Sequence, residues 1–523
     1  MRFLILLLFL VSLDGIYSQN LNISQGIIFD GEPFLAMNPS NDQHLVVAWM
    51  GFKFGQKVII KTKSSFDGGN TWSSSSELPH IHPDNGSADP NLYFDNDGNV
   101  FLCYIDFDND NFDNGAVVVT KSSDGISWSS PVVAIDIEDC PNKLCVDRPW
   151  MVIDRSGGSL DGTIYITSMT PDNSSVSAPY HPYLTRSFDG GQTFEPIRHL
   201  DTTDFLVGNE IKQPMPTPAV SNNGKFHAIY PTYEQSQSLF PQYIHVTSTD
   251  GGNSLQHNVQ ETVMQATGFQ VYPQTKSAPL LIENPNDEDH LAYIFLRIDG
   301  NDFNVYLSET FDAGATWSNK SKVNDNPAGE DVVHDLVWAN FNNKGDLAIC
   351  WRDRRNGGAG FNVDSEIMGT VKYKDSSSFI TNFLVSDALV EHNNILANSG
   401  NDFMCLEFNE DTLHAVWGDV RTGTINIFYN KLIVSEQTSN ITPITQEDWT
   451  FKELFPNPTS ESIILDERLN GASFIIYNSL GNVVDKGTLT EENKVFVEDF
   501  SSGIYYITLK NQKGEVGYRF VKD

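Results

Sequence analysis

The chain has 523 residues, with 33 Lys+Arg against 68 Asp+Glu, a formal net charge of −35 and 40% hydrophobic residues. That length exceeds one ordinary core, so several domains or a large repeat fold are expected. The negative field argues against nucleic-acid binding and docking on anionic membranes, and suits a secreted protein with carboxylates to spare for calcium.

The N-terminus, "MRFLILLLFLVSLDGIYSQN", has one Arg before an apolar run from Phe3 to Leu13 and small or polar residues to Ser18. This pattern predicts a secretory signal peptide over 1–18, too short for a membrane span. No later stretch predicts a transmembrane segment.

From there a grammar repeats: apolar strand, polar turn, second strand, third strand, and a short acidic box. The first unit reads "FLAMN", "PSNDQH", "LVVAWM", "VIIKTKS" and then "SFDGGNTW" (65–72). Further units begin near Pro90, Pro149, Pro218 and Pro279, and two without a box near Leu336 and Phe403. The box aspartates are Asp67, Asp124, Asp189, Asp250 and Asp312, 57 to 65 residues apart. Short strands at a fixed period, with almost no helical periodicity, predict an all-β fold: a propeller over 19–435, seven blades on this count with six the alternative. Strands run out near Val434, so "NISQGIIFDG" (22–31) is expected to supply the last outer strand and close the ring.

The box falls in the turn between the third and fourth strands. Its Asp can accept backbone N–H bonds across the turn, and Gly69, Gly191 and Gly252 permit positive φ. Trp72, Trp128 and Trp317 are expected to pin the turn against the blade. These features make the box a folding device, not a catalytic one. Cys140 and Cys145 bracket a loop short enough for a disulfide. Cys103, Cys350 and Cys405 sit in apolar runs and read as buried thiols, and no cysteine spacing suits zinc. The repeated "S-x-D-x-G-x-T-W" resembles the Asp-box (BNR) repeat of the sialidase superfamily over roughly 20–435. The resemblance implies the propeller and leaves the activity open.

In a propeller, the start of strand one and the end of strand two meet at one mouth of the central channel, where pockets form. Strand-one starts place Glu32, Asp89, Asp147 with Arg148, Lys276, His334 with Asp335, and Asp402 there. Strand-two ends add Asp106, Tyr233 with Glu234, Arg297 with Asp299, "WRDRR" (351–355) and "WGDVR" (417–421). Sialidase chemistry, as the resemblance implies it, needs arginines to clamp a carboxylate, an Asp acid/base and a Tyr nucleophile activated by Glu. Arg148, Arg297, Arg355 and Arg421 are the candidate arginines, Asp353 or Asp419 the acid, and Tyr233 with Glu234 the nucleophile pair. That pair works only if Tyr233 lies in a loop, since neighbours on a strand face opposite ways. The chain departs from the family at the first unit, which lacks Arg-Ile-Pro; "DRPW" (147–150) is the nearest analogue. "WRDRR" and "WGDVR" also admit a structural reading, with Trp packed between blades and Asp paired with Arg.

Two loops carry other chemistry. "DFDNDNFDN" (106–114) offers Asp106, Asp108, Asp110 and Asp113 as oxygen ligands for a structural calcium, or forms a solvated acidic loop. "APYHPYLTR" (178–186) places Tyr180, His181 and Tyr183 beside Arg186. A lyase for uronic polysaccharides could use His181 to take a proton and Tyr to return one.

Residues 436–452 read as a polar linker. Beyond it, "FPNPTS", "IYNSLGNVV" and "SSGIYYITL" lie among period-2 strands and predict a small C-terminal β-sandwich. Over 453–523 these segments resemble the type A C-terminal sorting domain of Bacteroidetes type IX secretion; a carbohydrate-binding sandwich is the alternative. The resemblance implies export by that machinery and a secreted or surface-attached product. The expectation is a propeller acting on or binding extracellular glycans, as an exo-glycosidase of sialidase type, with no cofactor required. The alternatives are a non-catalytic surface binding module and the lyase.

Overall fold

Apolar runs in the first 434 residues are seldom longer than a strand, and polar turns fold each back on the last. The computed structural model describes residues 20–434 and 456–523, apart from Gln56, 109–113, 141–144, 172–177, 264–278, 394–400, 466–470, 479–482, 491–492 and 512–513. The predicted signal peptide and linker, and Lys276, lie outside the described residues. The chain forms two compact units that divide between Ser435 and Glu436.

Unit one contains seven four-stranded antiparallel sheets, each an up-and-down meander. Their innermost strands, blade by blade, are Asp30–Asn38, Gly86–Phe94, Asp147–Ile153, Thr217–Val220, Leu280–Glu283, His334–Phe341 and Cys405–Asn409. Each touches the innermost strand of the next blade, and the seventh touches the first, so the ring is a seven-bladed propeller. Second strands are buried on both faces because blades stack on either side. Leu347–Asp353 is buried throughout, and Trp49, Trp351 and Trp417 from second strands are fully enclosed.

Ring closure uses the N-terminus. Leu21 and Asn22 pair with Tyr429 and Phe428 as the fourth strand of blade 7. The Ile23 N–H then donates to the Ile427 carbonyl at 2.9 Å. The closing strand is therefore shorter than the ten-residue segment expected for it.

All five boxes occupy third-to-fourth-strand turns. In the first, Ser65 Oγ donates to Asp67 Oδ1 (2.9 Å) and accepts from the Gly69 N–H (2.8 Å). Asp67 in turn accepts from the Thr71 N–H (2.8 Å) and hydroxyl (2.6 Å). The Thr hydroxyl, backbone N–H groups and Ser hydroxyl hold Asp67 down to about 2, and the same set acts on Asp189 and Asp312. These carboxylates stay ionised as turn acceptors.

The box tryptophans dock the turn on the preceding blade, and Trp317 also meets Tyr293 of its own blade edge-on at 6.2 Å. Trp72 of blade 1 meets Tyr429 of blade 7 edge-on at 5.2 Å. Trp128 of blade 2 donates its indole N–H to Thr62 of blade 1 (3.1 Å). Trp317 of blade 5 lies edge-on to His245 of blade 4. A fixed-length turn can grip its neighbour this way because the blade-to-blade step is constant.

Unit two pairs a four-stranded sheet, ordered Val483–Thr488, Ser473–Asn478, Gly503–Asn511, Gly514–Lys522, with a two-stranded sheet of Ser462–Ile464 and Lys494–Phe496. Ile463, Ile476, Val497, Ile507 and Phe520 form its core. Cys140 and Cys145 are disulfide-bonded, and Cys103, Cys350 and Cys405 are buried thiols.

Candidate active site at the channel mouth

Four innermost strands break register at the same level. In blades 1, 2, 3 and 6 a bulge separates Gly31 from Phe34, Ala88 from Asn91, Asp147 from Trp150, and Asp335 from Trp338. At each bulge one residue is left-handed: Glu32 (φ 51), Asp89 (φ 52), Arg148 (φ 43) and Leu336 (φ 50). In the first three the next residue is Pro33, Pro90 or Pro149, which has no N–H to give the ladder and so suits a bulge. Bulges re-aim side chains, and left-handed non-glycine residues concentrate at functional sites. Here they gather charged groups at one mouth of the channel.

Asp89 is the centre of that group. It is hydrogen-bonded to both Glu32 and Asp147. Its Oδ2 also accepts from the Arg148 N–H at 3.2 Å. Arg148 Nη2 reaches Asp402 Oδ2 at 2.6 Å, and Gln213 donates to Asp147 at 3.3 Å. Glu32 is 3% exposed, and its Oε2 has no hydrogen-bond partner. Burial, then the charges of Asp89 and Asp402, hold the Glu32 carboxyl well above its usual range. Burial and Asp89 push Asp147 up to about 8. Burial opposes the charge on Arg148, but Asp402, Asp147, Asp89 and Glu32 outweigh it and raise its pKa. Two carboxyls whose pKa is raised by burial and by Asp89 therefore flank Asp89, and each is hydrogen-bonded to it.

An aromatic layer forms the floor. Trp150 and Trp338 stack with centroids 5.3 Å apart and planes at 8°. Phe34 stands edge-on to both, Phe403 edge-on to Trp150, and the Arg148 guanidinium lies 5.6 Å above the Phe403 ring. Stacked indoles beside acid groups give a sugar ring a flat apolar face and hydroxyl partners. A protonated carboxyl next to a hydrogen-bond-accepting carboxylate is an arrangement for general acid/base chemistry.

Of the residues assigned roles from the sequence, Arg148 alone lies in this cluster. Asp353 is buried. It accepts from the Trp351 indole (2.7 Å) and Arg355 Nε (3.0 Å), and His334 Nε2 lies 3.2 Å away. Burial would raise its pKa, but His334 and Arg355 outweigh that and hold it far below the carboxylate range. Asp419 repeats the pattern with Trp417 (3.2 Å) and Arg421 (2.6 Å). Both segments thus form a Trp–Asp–Arg clasp within one blade, the structural arrangement. Arg355 also binds Asp325 and Asn382, and Arg421 binds Asp387. Arg297 pairs with Asp299 at 3.3 Å over the Tyr306 ring. Each of these three arginines is thus engaged by its own carboxylates, and no shared arginine clamp forms among the described residues.

Tyr233 lies in the loop after Phe226–Thr232, its N–H bonded to the Val207 carbonyl. Glu234 accepts from the Ser236 N–H (3.0 Å) and hydroxyl (2.7 Å), which lower its pKa. No hydrogen bond joins Tyr233 to Glu234 among the described residues. His181 Nδ1 lies 3.0 Å from both Asp201 oxygens and stacks on His199 at 3.9 Å and 12°. Those three residues group as metal donors, but near-parallel rings cannot aim in-plane lone pairs at one ion. Asp106 is buried and takes bonds from Asn85, Ser87 and His80, at 2.7 to 2.9 Å, so its oxygens are occupied without an ion. Asp108 lies 4.0 Å from Lys57, and Asp110 and Asp113 fall outside the described residues.

Residues 453–523 match the family model of the secretion system C-terminal sorting domain. The protein therefore carries a type IX sorting domain, which marks it for secretion and cell-surface attachment. A 66-residue stretch is 41% identical to beta-agarase A of Zobellia galactanivorans; the chain spans 12% of that relative's length. Similar solved structures include a protein of unknown function from Dyadobacter fermentans (13% identity, 68% of this chain, 97% of that one, TM-score 0.45). An alpha-L-arabinofuranosidase from Fusarium graminearum is also similar (14%, 80% and 98%, TM-score 0.44). So is the NanB sialidase from Streptococcus pneumoniae (12%, 79% and 70%, TM-score 0.39).

Proposed function

We propose that the propeller is an extracellular glycoside hydrolase that works at the bulged mouth of its channel on a neutral sugar. The observation that carries this reading is Asp89 hydrogen-bonded to two carboxyls, with Asp147 raised to about 8. Asp147 donates its proton to the leaving glycosidic oxygen while water supplies the hydroxyl that replaces it. Asp89, in hydrogen-bond contact with Asp147, positions that acid, because two carboxyls so close lack the separation at which a glycosidase pair flanks the bond. Arg148 holds Asp89 and Asp402 in place, and Trp150 with Trp338 stacks the ring being cleaved.

The charge balance favours a neutral substrate. Four acids surround one arginine, so a sialic or uronic acid carboxylate would enter a field of its own sign. The arginines that a sialidase would use are bound to aspartates, which moves the reading away from sialic acid and uronate-lyase chemistry.

The test is product analysis of the protein with neutral polysaccharides, arabinan and agarose among them, beside sialylated glycans and uronic polysaccharides. Reducing sugar from a neutral polymer, lost in Asp89→Asn and Asp147→Asn, supports the reading. Free sialic acid would return the assignment to the sialidase type, and an unsaturated uronic product would make it a lyase.

A further inference from the structure

Past the aromatic floor the channel opens again. A cavity of about 350 Å³ runs from Phe34, Trp150 and Trp338 toward the opposite mouth, at Pro39, Pro285 and Asn409. Its walls are largely aliphatic: Leu35, Met37, Leu92, Ile282 and Leu406. The volume is within the range of small-molecule sites. It shares the aromatic layer with the mouth, but Glu32, Asp89, Asp147, Arg148 and Asp402 do not line it.

Three charged side chains face into this apolar space. Arg155, from blade 3, lies with its guanidinium 4.7 Å above the Tyr93 ring. Glu283 of blade 5 accepts from the Tyr93 hydroxyl (3.3 Å), and Glu407 of blade 7 accepts from Asn340 Nδ2 (2.7 Å). Arg155 feels both glutamates, yet among the described residues no ion pair joins it to either. Burial raises Glu283 and pushes Glu407 up to about 8, with Arg155 only partly opposing it. One basic and two acidic side chains thus face the same chamber, held by Tyr93 and Asn340 and not by ion pairs with one another.

We propose that this chamber is a second binding site, for a small zwitterion: a free α-amino acid with an apolar side chain. The ligand carboxylate would take the planar fork of Arg155, which binds carboxylates through paired N–H bonds. The ligand ammonium would lie between Glu283 and Glu407, in place of the protons burial favours there. The aliphatic walls would take the side chain. A plain anion would meet two glutamates and a plain cation would meet Arg155, so only a ligand with both charges satisfies all three residues. The proposal does not depend on hydrolysis at the mouth.

Isothermal titration calorimetry of the full protein with L-leucine, leucine methyl ester and N-acetylleucine tests it. Leucine is expected to bind, and each capped compound to bind at least about tenfold more weakly, since each leaves a buried charge unmatched. Glu407→Gln, which keeps the shape and the Asn340 contact, is expected to weaken leucine by a similar factor; Asp89→Asn at the mouth is expected to leave it unchanged. No heat from leucine overturns the proposal. So does equal binding of all three compounds, which would mean that apolar filling alone is at work. If Glu407→Gln fails to fold, the ligand series on the unaltered protein still decides.

Discussion

Arg148 Nη2 lies 2.6 Å from Asp402 Oδ2, a bond from the first strand of blade 3 to the segment entering blade 7. It fixes the one cation that the described residues place among the four acids of the mouth. Arg148→Met is predicted to lower kcat/KM by about 100-fold or more, the scale seen when a positioned electrostatic partner is lost. The carboxyls it leaves can neutralise by taking up protons, so the variant should still fold. Steady-state kinetics beside a thermal melt separates the two effects.

Asp147, raised to about 8, predicts the alkaline limb of activity. The acid form is lost as pH rises through that value, so kcat/KM should fall with an apparent pKa near it; in Asp147→Asn the limb should vanish along with most of the activity. Stability follows the same group. The folded state holds this proton more tightly than the unfolded chain, whose aspartates titrate near about 4. Stability is thus greatest below that value, declines as pH rises between about 4 and about 8, and then levels. Asp147→Asn should flatten this part of the slope, as read from denaturant melts at several pH values.

The Trp–Asp–Arg clasp predicts the opposite balance. Asp353 joins Trp351, His334 and Arg355 inside blade 6. Asp353→Asn leaves Arg355 without its buried charge partner and should cost about 3 kcal/mol of stability. The protein that remains folded should keep its kcat. A loss of activity without loss of stability would return Asp353 to the site.

The box glycines predict a contrast between two positions with similar backbone. Gly69 has φ +82, and a Cβ there would lie 1.8 Å from the Tyr429 hydroxyl of blade 7. Gly190 has φ +71 with nothing within 4 Å. Gly190→Ala carries only the backbone strain, on the order of 1 kcal/mol. Gly69→Ala adds a clash at the ring-closing interface and should lose at least about 2 kcal/mol more. Equal melting temperatures would contradict the docking role of the box.

The repeat was legible because the boxes stand one per blade and each strand is bounded by turn residues. The seven-fold count and closure by the N-terminal segment follow from the same regularity. The direction of box docking was not legible, since Trp72 and Tyr429 are more than 350 residues apart in the chain. The mouth was legible as a face: strand-one starts include Glu32, Asp89, Asp147 and Asp402. Which members of that face act together was not. "WRDRR" looks reactive in sequence, yet Asp353 is two residues from both Trp351 and Arg355, and the three satisfy one another locally. The bulges that gather Glu32, Asp89 and Arg148 leave a faint trace, a proline directly after each residue, whose meaning depends on register. The lower chamber leaves no such trace, because Tyr93, Arg155, Glu283 and Glu407 come from four blades.

The most direct measurement of the central claim is reducing-sugar release from neutral polysaccharides by the intact protein and by Asp89→Asn, each confirmed folded by thermal melt. The account predicts release by the former and a loss of about 100-fold or more in the latter. Release that persists undiminished in Asp89→Asn, or release only from sialylated substrates, would contradict it.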